Sequence, residues 1–128
     1  MGAAIAKSNI PREKLFITTK LWIQDAGYES AKKASETSMR KLGLSCLDRY
    51  LIHRPMNDYY GAWRAMEELY EARKIRAIGV CNFSLDGLTD LCLNARIAPM
   101  VNQVELHPFF AQTGVIANMK SLNVQPEA

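Results

Sequence analysis

Five short apolar runs, rich in β-branched residues, recur along the chain and are separated by segments with a different period. They occupy residues 15–20, 47–53, 75–80 and 100–104, with a weaker run at 123–125. Apolar runs of this length between polar segments are typical of strands that are buried in a sheet. The hydrophobic pattern therefore predicts five β-strands.

Between these runs, apolar residues recur about every 3.6 positions, as they do along one face of an α-helix. The four periodic segments contain Ala31, Ala34, Ser38 and Leu42; Tyr59, Trp63, Met66 and Tyr70; Leu85, Leu88, Leu91 and Cys92; and Ile116, Met119 and Lys120. We interpret residues 2–8 as the last part of a further helix.

Residues that favour helix ends flank these segments. Gly43 predicts the end of the first helix, because glycine readily adopts the left-handed conformation that ends many helices. Asn57 or Asp58 is predicted to cap the second helix, and Ser84 is predicted to cap the third, since short oxygen-bearing side chains accept hydrogen bonds from free N–H groups.

Strands that alternate with helices imply parallel strands joined by right-handed crossovers. A doubly wound dinucleotide-binding sheet carries a glycine-rich turn after an early strand, whereas the glycines here stand alone and no GxxxxGK phosphate loop is present. The sequence therefore favours an α/β fold that is part of a (β/α)8 barrel, with about five consecutive parallel strands and crossover helices. A full barrel takes about 250 residues, so we expect residues 1–128 to form a single incomplete barrel domain.

Composition excludes several classes of protein. The chain has 128 residues, of which 48% are apolar and 23% charged, and a net charge of +3. Because the basic residues are scattered, a nucleic-acid or membrane-surface role has little support, and no apolar run approaches the ~20 residues of a membrane span. Cys46, Cys81 and Cys92 lack CxxC spacing, so neither a disulfide framework nor a metal site is indicated. With no secretory signal pattern either, we expect a cytoplasmic protein.

Polar side chains follow four successive strands of the predicted sheet. Lys20, His53, Asn82 and Gln103 each lie at or just after the carboxyl end of a strand. In barrels these ends share one rim, where active sites form. Each residue alone has an ordinary structural interpretation, but their joint placement indicates a site.

These residue types restrict the chemistry of such a site. His53 could donate a hydrogen bond to a substrate oxygen or act as an acid or base. Lys20 could lower the pKa of a neighbour, or form a Schiff base if it is desolvated. Asn82 and Gln103 offer paired amide groups suited to a carboxamide, and Trp22 offers a flat wall for a small organic ligand. Neither a Ser-His-acid set nor paired rim carboxylates are apparent, so acyl transfer and glycoside hydrolysis are not indicated.

Several strings in one order resemble the aldo-keto reductases, in particular bacterial diketogluconate and aldehyde reductases. They are Ile10–Trp22, Leu42–Leu44, Leu47–Pro55, Lys74–Ser84 and Val101–Pro108. The resemblance covers essentially the whole chain. It implies a (β/α)8 barrel that reduces aldehydes and ketones with NADPH, so the expected partner is a small carbonyl substrate. Full-length members of the family are often monomeric.

The resemblance also implies residue roles. Lys20 matches the catalytic lysine that lowers the pKa of a tyrosine acid, and His53 matches the histidine that orients the substrate carbonyl. Trp22 and Arg54 fall where the family lines its substrate pocket. Asn82 and Gln103 match residues that hold the nicotinamide carboxamide, and Cys81 stands where the family usually has a serine in that role.

Departures from the family pattern limit what residues 1–128 are expected to do. The catalytic aspartate and tyrosine of the family lie upstream of Met1, and its nicotinamide-stacking aromatic residue and phosphate-binding loops lie after Ala128. We therefore expect the isolated chain to be inactive. Alternatives are a non-catalytic half-barrel that is a relic or assembles with a partner, and a Schiff-base aldolase acting through Lys20.

Arg49 is a further departure. It shares strand parity with Leu51 and His53, which predicts that it points into the barrel, where an unpaired charge is unfavourable. From the sequence, the favoured interpretation of Arg49 is an ordinary edge or surface arginine.

Overall fold

The computed structural model describes all 128 residues and contains one five-stranded sheet. The strands are β1 (Thr18–Leu21), β2 (Arg49–Ile52), β3 (Ile78–Cys81), β4 (Val101–Gln103) and β5 (Gln125–Glu127). The helices are α1 (Gly2–Lys7), α2 (Tyr28–Leu42), α3 (Tyr59–Glu71), α4 (Leu85–Asn94) and α5 (Thr113–Ser121), with short 3₁₀ turns at Arg12–Lys14 and Ile23–Asp25. No helix combines the length and apolar character needed to cross a bilayer.

The strands lie side by side in sequence order, and every neighbouring pair is parallel. In a doubly wound sheet the order reverses at a switch point, so the observed order is that of a barrel. The predicted alternation of strands and helices is confirmed.

The strand boundaries differ from the predicted runs. β1 begins at Thr18 rather than Leu15, β2 at Arg49 rather than Leu47 and β3 at Ile78 rather than Ile75. β4 is shorter than predicted at both ends, and β5 covers Gln125–Glu127 rather than 123–125. The apolar pattern predicts the last strand too early because Pro126 and Glu127 are not apolar, whereas pairing of Gln103 with Glu127 extends the ladder to that point. A strand whose residues are mostly polar leaves no apolar pattern by which it can be predicted.

The helix ends follow the local chemistry of the sequence. Gly43 ends α2 with φ of 70°, a left-handed conformation that glycine adopts without steric strain. Of the two candidate caps for α3, Asp58 is the one that accepts a hydrogen bond, from Gly61 N at 2.7 Å. Ser84 caps α4 by accepting from Gly87 N at 3.3 Å.

The sheet has two different faces, because side chains alternate along each strand. The outer face packs against the helices in a core of 18 buried residues that includes Tyr50, Trp63 and Ile78. The opposite face, which we call the concave face, has a small buried cluster of Leu51, Cys81 and Val101. Lys20, Arg49, Gln103 and Glu127 belong to the same face, as the strand register shows.

At the amino end of the sheet, the buried Asp48 links the chain segments that precede β1 and β2. Its carboxylate accepts from Ile17 N at 2.7 Å and pairs with Arg12 at 2.7 Å and Arg76 at 3.0 Å. Burial alone would raise the pKa of Asp48, but the Ile17 N–H and the two guanidinium groups outweigh it, so the pKa lies below its usual range. These contacts hold the end of the sheet opposite the polar rim.

Candidate functional site

The carboxyl ends of the strands bring the predicted polar residues to one rim. Lys20 lies near the end of β1, His53 directly follows β2, and Asn82 directly follows β3. Gln103 is the last residue of β4. Parallel strands in sequential order place these ends side by side, as the sequence predicted.

The first group at this rim centres on the amide of Gln103. Lys20 Nζ donates to Gln103 Oε1 at 2.5 Å, and the Cys81 thiol lies 3.8 Å from the same oxygen. The side chain of Lys20 is exposed, whereas Cys81 is buried. Three residues from three different strands thus meet at one carbonyl oxygen.

The second group centres on His53. The rings of His53 and Trp22 are in an edge-on arrangement, with centroids 5.0 Å apart. Asn82 Nδ2 donates to the backbone oxygen of His53 at 3.3 Å, and Asn82 N donates to Gln103 O at 2.8 Å. Asn82 has φ of 60°, a left-handed conformation that asparagine tolerates better than most residues. The two backbone contacts connect the His53 group with the Gln103 group.

The surroundings of His53 favour its neutral form. Partial burial lowers the pKa of His53 below its ordinary value, and the positive charges of Lys20 and Arg54 lower it further. Arg54 itself is exposed, with no protein hydrogen bond to its side chain. At neutral pH His53 is therefore an uncharged imidazole that can donate one hydrogen bond.

Cys81 is protected from ionisation at this site. Burial raises the pKa of its thiol, and this outweighs the opposing influence of Lys20. A neutral thiol is only a weak hydrogen-bond donor. All three cysteines are free, and the Cys81 thiol is a weak polar group beside Gln103.

A third interaction connects the concave face to the rim. Arg49 forms an ion pair with Glu127 through both terminal nitrogens, and Gln103 Nε2 donates to Glu127 Oε1 at 2.6 Å. The side chain of Arg49 is only 18% exposed. The interpretation of Arg49 as an ordinary surface residue is therefore wrong: it points to the concave face, as strand parity indicated, and Glu127 neutralises its charge.

The rim is open rather than enclosed. A cavity of about 330 Å³ lies beside β1 and α2, and its lining includes Lys20 and Trp22 but not His53, Asn82 or Gln103. Small-molecule sites usually enclose most of their ligand. The residues described here therefore form one wall of a site.

A family model confirms the resemblance that the motifs carried. The model, which describes the "Aldo/keto reductase family", matches residues 1–127. The chain belongs to the aldo/keto reductase family. The chain superposes on about half the length of solved aldo-keto reductases, which are (β/α)8 barrels. Its five-stranded sheet is therefore part of such a barrel.

Among curated proteins, the chain is similar to two oxidoreductases of Bacillus subtilis strain 168. It is 50% identical over 125 residues to the uncharacterized oxidoreductase YtbE, covering 97% of this chain and 45% of that protein. It is 48% identical over 129 residues to glyoxal reductase, covering 100% of this chain and 47% of that protein. The chain thus spans about half the length of the relatives it matches.

Solved structures give the same result. The aldo-keto reductase MGS-M4, from a Medee basin deep-sea metagenome library, superposes with a TM-score of 0.96 at 47% identity, covering 99% of this chain and 48% of that one. The Bombyx mori aldo-keto reductase solved in complex with NADP superposes with a TM-score of 0.91 at 35% identity, over 98% of this chain and 44% of that one. The family is one of NADP-dependent oxidoreductases.

Sequence reasoning missed two residues that shape the site. Glu127 lay beyond the predicted end of the last strand, although its pairing with Gln103 follows from the register. Asn102, fully buried, donates to Phe83 O at 3.0 Å and accepts from Phe83 N at 3.4 Å, which holds the loop after β3 against β4. A polar residue inside an apolar strand was the available signal for Asn102.

Proposed function

We propose that this chain supplies the lysine, the histidine and the carboxamide-binding side of an NADPH-dependent reductase of aldehydes and ketones. The observation that carries the proposal is the convergence of Lys20, His53, Asn82 and Gln103 on one rim of a chain in this family. We further propose that residues 1–128 are part of one barrel domain and that the protein acts in the cytoplasm.

The residues fit the proposed cofactor in their hydrogen-bonding chemistry. A carboxamide has one acceptor and two donors, which the side-chain amides of Asn82 and Gln103 can complement. Both amides lie on the rim, where a ligand can approach, and the thiol of Cys81 adds a weak polar contact. When bound, the nicotinamide supplies a hydride to the carbonyl carbon.

The chain's own residues bind and polarise the carbonyl substrate. Neutral His53 donates a hydrogen bond to the substrate oxygen, which orients the carbonyl. The positive charge of Lys20 stabilises negative charge as it develops near that oxygen. Trp22, whose ring contacts His53, forms an apolar wall. The proton for the oxygen comes, by resemblance, from a tyrosine that none of the residues 1–128 supplies.

The test places this segment in an active relative. A chimera replaces the corresponding segment of the Bacillus subtilis glyoxal reductase, to which the chain is 48% identical, with residues 10–127, and NADPH oxidation is measured with glyoxal. We expect an active chimera that loses at least about 100-fold in kcat on Lys20→Met, because loss of one group that stabilises developing negative charge costs about this much. The isolated chain is expected to be inactive.

Lys74→Met is the matched control, since Lys74 is an exposed lysine before β3 without a side-chain hydrogen bond or ion pair. Equal activity of the Lys20→Met and Lys74→Met chimeras would refute the proposed role of Lys20. A chimera that folds and binds NADP but is inactive would refute the proposal for the chain as a whole. Cys81 and Arg49, which depart from the family pattern, would then be the residues to test as the cause.

One alternative has a structural observation in its favour. β1 has a neighbour on one side only, as does β5, so a half-barrel that assembles with a partner is consistent with the sheet. The Schiff-base alternative depends on a desolvated Lys20, but the lysine is exposed and hydrogen-bonded. Borohydride trapping with a carbonyl compound tests it through an adduct on Lys20.

A further inference from the structure

The ion pair on the concave face is connected to the proposed site through a single amide. Glu127 Oε1 accepts from Gln103 Nε2 at 2.6 Å, and Gln103 Oε1 accepts from Lys20 Nζ at 2.5 Å. Arg49 holds the same carboxylate through two nitrogens. The four side chains come from β1, β2, β4 and β5, so they form a continuous chain of contacts across the sheet.

Hydrogen-bond chemistry fixes the direction of this chain. An ammonium group can only donate, and a carboxylate can only accept. An amide placed between the two has one favourable orientation, with its oxygen toward Lys20 and its nitrogen toward Glu127. A flipped Gln103 amide, with its oxygen and nitrogen exchanged, would place two donors together at one end and two acceptors together at the other.

We propose that Arg49 and Glu127 are positioning residues, which fix the side-chain amide of Gln103 so that its oxygen faces Lys20. This role rests on the proposed function, in which Lys20 and Gln103 act. Neither Arg49 nor Glu127 needs to touch a substrate, because they act only through Gln103.

The environment of Arg49 shows why its position is well defined. Its Nε donates to Thr18 Oγ1 at 3.2 Å, and its guanidinium group lies 5.5 Å from the centroid of the Phe16 ring. Partly buried, charge-assisted and two-pronged hydrogen bonds are stronger and more directional than ordinary ones. Arg49 thus holds both carboxylate oxygens of Glu127, and Oε1 accepts from Arg49 and from Gln103 together.

The test measures the Gln103 amide directly, by NMR of the uniformly nitrogen-15-labelled chain. Hydrogen exchange of the Gln103 side-chain NH2 group is compared in the wild type, Glu127→Gln and Arg49→Leu. Glu127→Gln keeps the size and removes the charge, while Arg49→Leu leaves an apolar side chain beside Leu51 and Phe16. We expect exchange to be at least about tenfold faster in both variants, with loss of the nuclear Overhauser contact between Lys20 and Gln103.

Glu105→Gln is the matched control, because Glu105 is an exposed carboxylate at the same end of the sheet whose only side-chain partner is His107. We expect it to leave Gln103 unchanged. Backbone exchange at Val104 and Gln125, which bond β5 to β4, reports on the fold separately. If Glu127→Gln speeds only those backbone amides and not the Gln103 side chain, the pair is merely structural and the proposal is overturned.

Titration of the nitrogen-15-labelled glyoxal reductase chimera with NADP+ separates this proposal from the proposed function, because the chimera supplies the phosphate-binding loops. Shifts of the Gln103 and Asn82 side-chain amide signals in the chimera are expected if these residues bind the carboxamide. If NADP+ leaves both signals unchanged, the proposed carboxamide site fails, whereas the effect of Glu127 on Gln103 is still decided by the exchange rates.

Discussion

His53 illustrates how single residues at the rim acquire their chemistry from neighbours. It is half-buried, its ring contacts Trp22, and two positive side chains, those of Lys20 and Arg54, lie nearby. Burial and like charge both oppose protonation of an imidazole. In the role proposed for it, His53 donates a hydrogen bond as a neutral imidazole, and these surroundings favour that form.

The pKa of His53 is therefore predicted to lie below 6.5, the ordinary value for histidine. Titration of its ring protons by NMR measures this, with the signal assigned through His107→Gln. Arg54→Gln should raise the pKa of His53, although not fully to the ordinary value, since burial is the larger cause. Arg64→Gln removes the same charge from an exposed, unpaired site on α3 and should leave the pKa unchanged. A wild-type titration midpoint at or above 6.5 would contradict the assignment.

The same shift makes stability depend on pH in a defined direction. Because the folded state binds the His53 proton more weakly than the unfolded state, unfolding takes up a proton in the interval between the two pKa values. The free energy of unfolding therefore falls as the pH drops below about 6.5. It stops falling, as far as His53 is concerned, below the folded-state pKa.

The sequence was informative about residues that stand at strand ends and uninformative about their partners. Lys20, His53, Asn82 and Gln103 could be placed on one rim because a parallel sheet aligns all carboxyl ends. The contact of Gln103 with Glu127 depends on the register of β4 and β5. A register is set by packing over the whole sheet, and a short polar strand such as β5 carries little local signal for it.

At the scale of elements, β3 depends on a residue without a side chain. A Cβ atom at Gly79 would lie 2.5 Å from Val101 Cγ1, 2.6 Å from the Val101 carbonyl oxygen and 2.9 Å from Leu51 Cδ2. The backbone oxygen cannot move without disturbing the pairing of β3 with β4. Gly79 thus allows the neighbouring strands to approach closely on the concave face.

Gly79→Ala is predicted to lower the free energy of unfolding by about 1–3 kcal/mol, the usual effect of overpacking. Urea denaturation followed by circular dichroism measures the difference. Gly114→Ala is the matched comparison, because nothing lies within 4 Å of a Cβ there and Gly114 is inside α5. It should raise stability by up to about 1 kcal/mol, through the higher helix propensity of alanine. Equal effects of both substitutions would mean that β3 tolerates the extra methyl group.

Helices were predicted more accurately than strands for a physical reason. The ends of α2, α3 and α4 are marked by Gly43, Asp58 and Ser84, whose interactions are local. Strand ends depend on partners that are distant in sequence, as the pairing of Thr18 with Arg49 shows. Local signals can be recognised in a sequence, whereas partners in space cannot.

At the scale of the whole molecule, the two edges of the sheet differ in their capacity to pair. Gln125 N donates to Met100 O and Glu127 O accepts from Val104 N, so these two residues of β5 face β4. Pro126, between them, faces the free edge, where its missing N–H removes a donor. At the other edge, Ile17 O, directly before β1, accepts from Arg49 N, and Leu21 O accepts from His53 N. The backbone groups of Thr18 and Lys20 in β1 therefore face the free edge.

We therefore predict that the isolated chain self-associates through β1 rather than β5. Sedimentation velocity should show an average mass that rises above the monomer mass as the protein concentration increases. Thr18→Pro removes the free N–H and should shift this association to concentrations about tenfold higher, the equivalent of one hydrogen bond. Thr18→Val is the control, because it keeps the N–H while removing, as proline does, the hydroxyl that accepts from Arg49.

Comparison of the wild type with Thr18→Pro and Thr18→Val decides whether association occurs through the backbone of β1 or through other contacts. If Thr18→Pro and Thr18→Val weaken association equally, the Thr18 hydroxyl or the position of Arg49 is responsible, and the free backbone of β1 is not. If the wild type sediments as a monomer at every concentration, the free edge of β1 does not pair, and the half-barrel assembly alternative loses its structural support. Association that Thr18→Pro alone disrupts would identify β1 as the edge at which this half-barrel accepts a further strand.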